Sequence, residues 1–269
     1  MSLFSKVVRA MRTIAPLELA DVSWDNVGVL VEPPYPAPNT NRVFLTIDLT
    51  PQVLDEALSD PKVGAIVAYH PPIFRSMKRL VTSDPKQDMV MKAIAKGVGI
   101  YSPHTACDNC QDGVNDWLAS GLGKGTVKPI VPFDNPPEGH PLAGTGRIFE
   151  FDEPASIHTV VERVKALTKL EHCKAPHGQG ELIKTVAICA GSGSSVLNSV
   201  DADLYLTGEM GHHDALAALA KDTSVILCEH SNTERGYLTA NLKPLLEKQL
   251  GDEVDVFVSQ VDRDPLQIV

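Results

Sequence analysis

Several things are scarce or missing in this 269-residue chain. No apolar run approaches the roughly 20 residues that a membrane-spanning helix needs. Positive charge is in deficit: 24 lysines and arginines face 34 acidic residues, a net charge of −10 with histidine neutral. That balance argues against a general nucleic-acid binder, because non-specific binding rests on phosphate neutralisation by Lys and Arg. A local basic patch is compatible with it. "RSMKR", Arg75 to Arg79, is the candidate, and a solvated loop is the plainer reading. The five cysteines are few and odd in number, and Cys189 and Cys228 sit in apolar runs. This suits reduced core thiols in a cytosolic compartment rather than a disulfide framework. No Ser-His-Asp arrangement can be argued from spacing. "GSGSS" (191–195) lacks the lysine of a P-loop and the spacing of a dinucleotide fingerprint. It could hold an anion on backbone N–H groups or simply make a tight strand-to-helix turn.

What the chain does have is apolar material for a core, 43% of its residues, and a length suited to one large α/β domain or two modest ones. Its basic, amphipathic start raises the question of a mitochondrial presequence. Leu3, Phe4, Val7, Val8, Met11 and Ile14 recur at helical spacing and run on into "APLELAD", so a structural first helix is expected. Two later segments then share one plan. The first runs "RVFLTID", "TPQVLDEALSD", "VGAIVAYH", "DMVMKAIAKG", "VGIYSPHTACD"; the second runs "KTVAICAG", "SSVLNSVD", "ADLYLTGE", "HHDALAALAKD", "SVILCEHSNTE". Each reads β-α-β-α-β, and a helix follows each third strand ("GVNDWLAS", "GYLTANLKPLLEKQ"). The expected fold class is therefore α/β, two related halves with parallel strands and covering helices.

Between the halves, "PIVPFDNPPEGHPLAGTG" reads as loop, "RIFEF" as a strand, "PASIHTVVERVKALTKL" as a helix with Pro154 at its start, and "APHGQGE" as loop again. This predicts a first α/β domain over 1–125, an α+β insert over 126–185 and a second α/β unit over 186–269.

The repeat also aligns chemistry. His104 and Asp108 hold the places of His230 and Glu234, each pair four apart after an apolar strand, and His70 and Glu209 fall at matching second-strand ends. With His213, these residues put imidazoles and carboxylates at the predicted strand ends, the donor types used by Zn, Fe, Mn or Co at catalytic sites. A carboxylate such as Glu234 can also bridge two ions. Any one of these histidines could instead be a hydrogen-bonded residue at a strand end; arranged by the repeat, the set reads as a metal centre in a shared cleft. "CDNC" (107–110) looks superficially like a thiol redox motif, and incidental cysteines are the simpler reading.

"SWDNVGVLVE", "YHPPIF", "YSPHTACD" with "GVNDWLA", "GTGRI", "ICAGSGSS", "YLTGEMGHHDAL" and "EHSNTERG" together resemble the Nif-three family of dinuclear-metal proteins, often labelled GTP cyclohydrolase 1 type 2 homologues, and its eukaryotic branch in particular. The resemblance implies one or two divalent ions per chain. His70 and Asp108 would bind one, His230 the other, and Glu234 would bridge them. His104, Glu209 and His213 match family positions, for which orienting the ligands is the natural role. Tyr69 stands where many bacterial members have the first of two histidines, and a phenol with an ordinary pKa of about 10 is a poor ligand. The family further implies a dimer or ring hexamer. It implies either metal-dependent hydrolysis of a nucleotide or phosphoester, or a non-enzymatic association with transcriptional regulators, with a nuclear location beside the cytoplasmic one.

Overall fold

The structure is a computed structural model in which residues 1–176 and 182–266 are described. Part of the expected loop "APHGQGE", residues 177–181, lies outside the described residues. The chain divides into two compact units, Met1–Cys107 with Leu238–Val269, and Asp108–Tyr237.

The first unit begins with helix α1 (Leu3–Ile14). Ser2 caps it by accepting the Ser5 N–H at 3.2 Å, and Phe4, Val7, Met11 and Ile14 are buried at the spacing the sequence displays. There follow β1 (Gly28–Val31), β2 (Arg42–Thr46), α2 (Pro51–Ser59), β3 (Val63–Ala68), α3 (Pro85–Ala95), β4 (Gly99–Ser102) and the short α4 (Thr105–Asn109). Thr50 and Asp84 cap α2 and α3, each with proline in the first turn, where a missing N–H costs nothing. Every residue of β3 is buried, as a parallel strand covered on both faces should be.

The second unit opens with α5 (Val114–Ser120), β5 (Gly125–Pro132), β6 (Gly144–Ser156) and α6 (Ile157–Thr168). It continues with β7 (Leu182–Ser192), α7 (Ser194–Leu197), β8 (Leu204–Glu209), α8 (His212–Leu219), β9 (Ser224–Leu227) and the short α9 (Arg235–Tyr237). Its sheet has the order β5-β6-β7-β8-β9, antiparallel through β7 and parallel from β7 to β9. A π-helical turn, Leu238–Leu242, then leads into α10 (Lys243–Leu250) and β10 (Asp255–Val258) of the first unit. The first sheet is ordered β1-β4-β3-β2-β10, all parallel except the β1–β4 pair.

The mixed α/β class and the repeated β-α-β-α-β plan are therefore both present: β2-α2-β3-α3-β4 in one unit and β7-α7-β8-α8-β9 in the other, each with its three strands side by side and parallel. The details between differ from expectation for identifiable reasons. Residues 125–132 form a strand although Pro129 and Pro132 argue for loop, because β5 is the edge of its sheet, where a missing N–H is tolerated. Pro154 lies inside β6 rather than at a helix start, in a stretch where the β6–β7 register shifts. The helix begins at Ile157, capped by the Ser156 hydroxyl accepting the Thr159 N–H at 3.2 Å. The helix expected from Gly236 onward is broken by the π turn just before Pro244, which has no N–H to donate.

Candidate metal centre

In the first unit, β3 ends at Ala68 and hands the chain to Tyr69 and His70, while β4 ends two residues before His104. His70 Nδ1 lies 2.9 Å from Asp48 Oδ1, and the His70 N–H donates to the Ile47 carbonyl at 3.0 Å. His104 Nδ1 lies 2.7 Å from Asp25 Oδ1. A carboxylate facing Nδ1 fixes the tautomer, with the proton on Nδ1 and the lone pair on Nε2, as metal-binding histidines require. Burial pushes the Asp25 carboxyl up, but hydrogen bonds from His104 and Thr105 more than reverse this, and it rests below the usual carboxylate range. The rings of Tyr69, His70 and His104 meet edge to face at centroid distances of 5.3 to 5.9 Å. Tyr69 itself is fully buried.

The second unit repeats the device. His230 follows β9, its Nδ1 2.7 Å from Oε1 of Glu209 at the end of β8. Its Nε2 lies 3.6 Å from Oε1 of Glu234, which is itself buried. Gly191, at the end of β7, explains how the two sit so close. Its φ is +62°, and a Cβ there would fall 2.9 Å from His230 Nε2 and 3.0 Å from Glu234 Oε1. Any side chain would fill the space between the donors, which only glycine leaves open. Thr233 Oγ1 accepts the Gly191 N–H at 2.9 Å and Thr207 Oγ1 donates to its carbonyl at 3.2 Å, so the turn is held rigidly.

Asp108 is tied to the same strand end through Asn115. Asn115 donates to the Asp108 carbonyl at 3.0 Å and accepts the Ala190 N–H at 2.9 Å. Burial pushes the Cys189 thiol up to about 12, with the charges of Asp108 and Glu234 adding to the effect. Arg147 steadies this corner: fully buried, it donates to both Asp116 carboxylate oxygens and to the carbonyls of Cys110, Gly144 and Gly146. Trp117 closes on Gly236, where a Cβ would lie 2.3 Å from the indole.

Non-glycine residues with positive φ stand next to the candidate donors, His104 at +32° and Glu229 at +64°. Such backbone costs on the order of 1 kcal/mol or more per residue, and Asn39, Asp112, Lys169 and Asp222, outside the candidate set, share it. His213, by contrast, is exposed on α8 beside His212. "GSGSS" is a turn whose N–H groups at Gly191 and Gly193 are taken by threonines. Burial pushes the Cys110 thiol up to about 12, the opposite of what a redox pair needs, and among the described residues none of the five cysteines is in a disulfide. The orienting carboxylates Asp25 and Asp48 were not legible as site residues. Asp25 lies inside the "SWDN" motif, so that motif was the one available signal.

A family model described as Duf34/NIF3 (NGG1p interacting factor 3) matches residues 2–265. The chain belongs to the Duf34/NIF3 family. It is 47% identical to the Schizosaccharomyces pombe protein NIF3 homolog, over 97% of this chain and 96% of that one. It is 40% identical to the Saccharomyces cerevisiae protein named NGG1-interacting factor 3, over 98% and 96%. Among solved structures, a Bacillus cereus protein related to NIF3 shares the fold with a TM-score of 0.81 at 20% identity, over 98% of each chain. By donor chemistry, His70 in one unit of this Duf34/NIF3 chain, and His230 and Glu234 in the other, are residues of the types that hold a metal ion. The residues fit such a group: the imidazoles carry oriented tautomers, and Gly191 keeps open the space between His230 and Glu234. Among the described residues no helix is long and apolar enough to cross a membrane.

Proposed function

We propose that the chain is a divalent-metal-dependent hydrolase acting on a nucleotide or phosphoester, with His70 and Asp108 serving one ion, His230 a second and Glu234 shared. The observation that carries this reading is His230 between Glu209 and Glu234, beside a glycine that leaves their approach open. When bound, a divalent ion supplies an acidified water and polarises the phosphoryl or ring carbon under attack. The protein's own part is orientation. Asp48 and Glu209 hold Nδ1 of His70 and His230, so each ring presents a single donor atom. Asp25 does the same for His104, which orients rather than binds. Glu234 is buried, so its charge is strongly felt by any cation near it.

Metal analysis of purified protein tests the reading, comparing Glu234→Ala with His104→Ala. Loss of metal from the first and retention in the second is expected, followed by chelator-sensitive turnover in a nucleotide and phosphoester screen. Equal metal in the two variants would sink the shared ligand. A second reading, a metal-bearing partner of transcriptional regulators, is favoured by the printed name of the S. cerevisiae relative. It predicts metal retention, no turnover with any substrate class, and regulator binding that persists in Glu234→Ala. A homo-oligomer and a cytoplasmic and nuclear location are part of the same proposal.

A further inference from the structure

The loop after His70 and the first turn of α3 carry charge that the rest of the chain does not explain. Arg75, Lys78, Arg79 and Lys86 are all exposed and line a concavity of about 480 Å³ in the first unit, in a protein of net charge −10. Among the described residues none of the four forms an ion pair. Like charges crowded in this way repel, and a solvated loop gains nothing by the crowding. The one acid lining the concavity, Asp84, already accepts the Gln87 N–H at 3.0 Å as the cap of α3. Four cations against one carboxylate leave three positive charges, about the charge of a diphosphate group.

Beside this concavity stands an aromatic platform. Phe74 lines the concavity and is 45% exposed; Trp24, 6.2 Å away by ring centroid, is 53% exposed. The platform is built rather than loose. Trp24 Nε1 donates to Asp21 Oδ2 at 2.7 Å, and Asn26 Nδ2 donates to the Ile73 carbonyl at 2.5 Å, fastening together the segments that carry the two rings. Trp24 meets His104 edge to face at 5.8 Å, and His104 meets His70 at 5.3 Å. A chain of ring contacts therefore leads from Phe74 at the basic concavity through Trp24 and His104 to a proposed metal ligand, His70. Cations hold phosphate and exposed rings stack on a heterocycle, the pairing used by single-nucleotide and single-strand sites.

We propose that Arg75, Lys78, Arg79 and Lys86 form the phosphate subsite, and Trp24 and Phe74 the ring platform, for a nucleoside polyphosphate that turns its heterocycle rather than its phosphates toward His70. The proposal deepens the hydrolase reading and rests on it for the role of His70. It narrows the substrate to a nucleotide and places the reacting group at the ring end. A volume of this size suits a small ligand rather than a strand.

The test is a titration of full-length protein with ADP, adenosine and pyrophosphate, followed by tryptophan emission, with metal content measured in parallel. Trp24 is exposed and Trp117 buried, so quenching reports the platform. ADP is expected to bind about tenfold more tightly than either adenosine or pyrophosphate. Arg75→Ala with Arg79→Ala should weaken ADP by about tenfold and leave adenosine unchanged. Trp24→Phe should abolish the quench, and Phe74→Ala should weaken ADP and adenosine alike. Equal binding of ADP and adenosine, no response to any probe, or tighter binding of a single-stranded oligonucleotide than of ADP would overturn the subsite. The metal reading is scored separately. If Glu234→Ala keeps its metal while ADP still binds as expected, the hydrolase reading fails and the phosphate subsite stands.

Discussion

Asp262 accepts the backbone N–H of Ile47 at 2.7 Å, joining residues 215 positions apart. The carbonyl of Ile47 in turn receives the His70 N–H, and Asp48, the next residue, holds the His70 ring. Asp262 thus clamps the short stretch that aims a proposed ligand. Asp262→Ala should lower stability by about 1–3 kcal/mol, since it leaves a backbone donor with a lost charged partner. It should also reduce metal retention, with Asp262→Asn recovering part of both. Thermal melts and metal analysis check this; a variant as stable and as metal-rich as the parent would remove the clamp from the account.

Gly191→Ala is the smallest change aimed at the metal centre itself. The new methyl would need φ near +62° and would sit about where His230 and Glu234 approach each other. A stability loss of about 1 kcal/mol or more is expected from the backbone alone, together with loss of metal. Unchanged metal content would mean that the space beside Gly191 is not where the ion sits.

Acid titration should expose the Asp25 network. The Asp25 carboxyl lies below its ordinary range in the folded chain. A depressed carboxyl contributes stability above its unfolded pKa, about 3.9, and that contribution is lost as pH falls through the lower folded value. The stability gap between the parent and Asp25→Asn should therefore be present at about pH 7 and close as pH approaches about 3. A gap that widens with acidification would reverse the sign of this assignment.

Tyr69 offers a gain-of-function test. It is buried against the rings of His70 and His104, and a phenol is a weak ligand near neutral pH. The parent is expected to keep about one tightly held ion per chain after mild chelation, and Tyr69→His to raise the count toward two. Two equally tight ions in the parent, unaffected by the substitution, would make Tyr69 irrelevant to metal number.

The parts of the fold that were legible in the sequence are those decided locally. Apolar runs mark the parallel strands, and Thr50 with Pro51 marks the start of α2, whereas α3 begins at Pro85 behind its Asp84 cap, three residues before the run "DMVMKAIAKG" that signals it. What escaped was decided at a distance. β1 and β10 are short, and they exist because β4 and β2 offer edges to pair with. β5 hides behind two prolines that only its edge position excuses. The same holds at the candidate site. The histidines announce themselves after their strands, whereas the carboxylates that aim them lie 22 and 79 residues away, at Asp48 and Asp25. Nothing in local spacing could have paired them.

The return of β10 to the side of β2 also bears on how the chain is made. Asp108–Tyr237 is one uninterrupted stretch, so all of its sheet partners are present before the residues after 237 are synthesised. The earlier stretch, Met1–Cys107, must wait for α10 and β10, leaving the outer edge of β2 uncovered through most of translation. Synthesis order and completion order are thus inverted: the half that emerges first is finished last. An uncovered parallel edge is the kind of surface on which nascent chains mispair, and that edge stays open from Cys107 until Asp255 has been made.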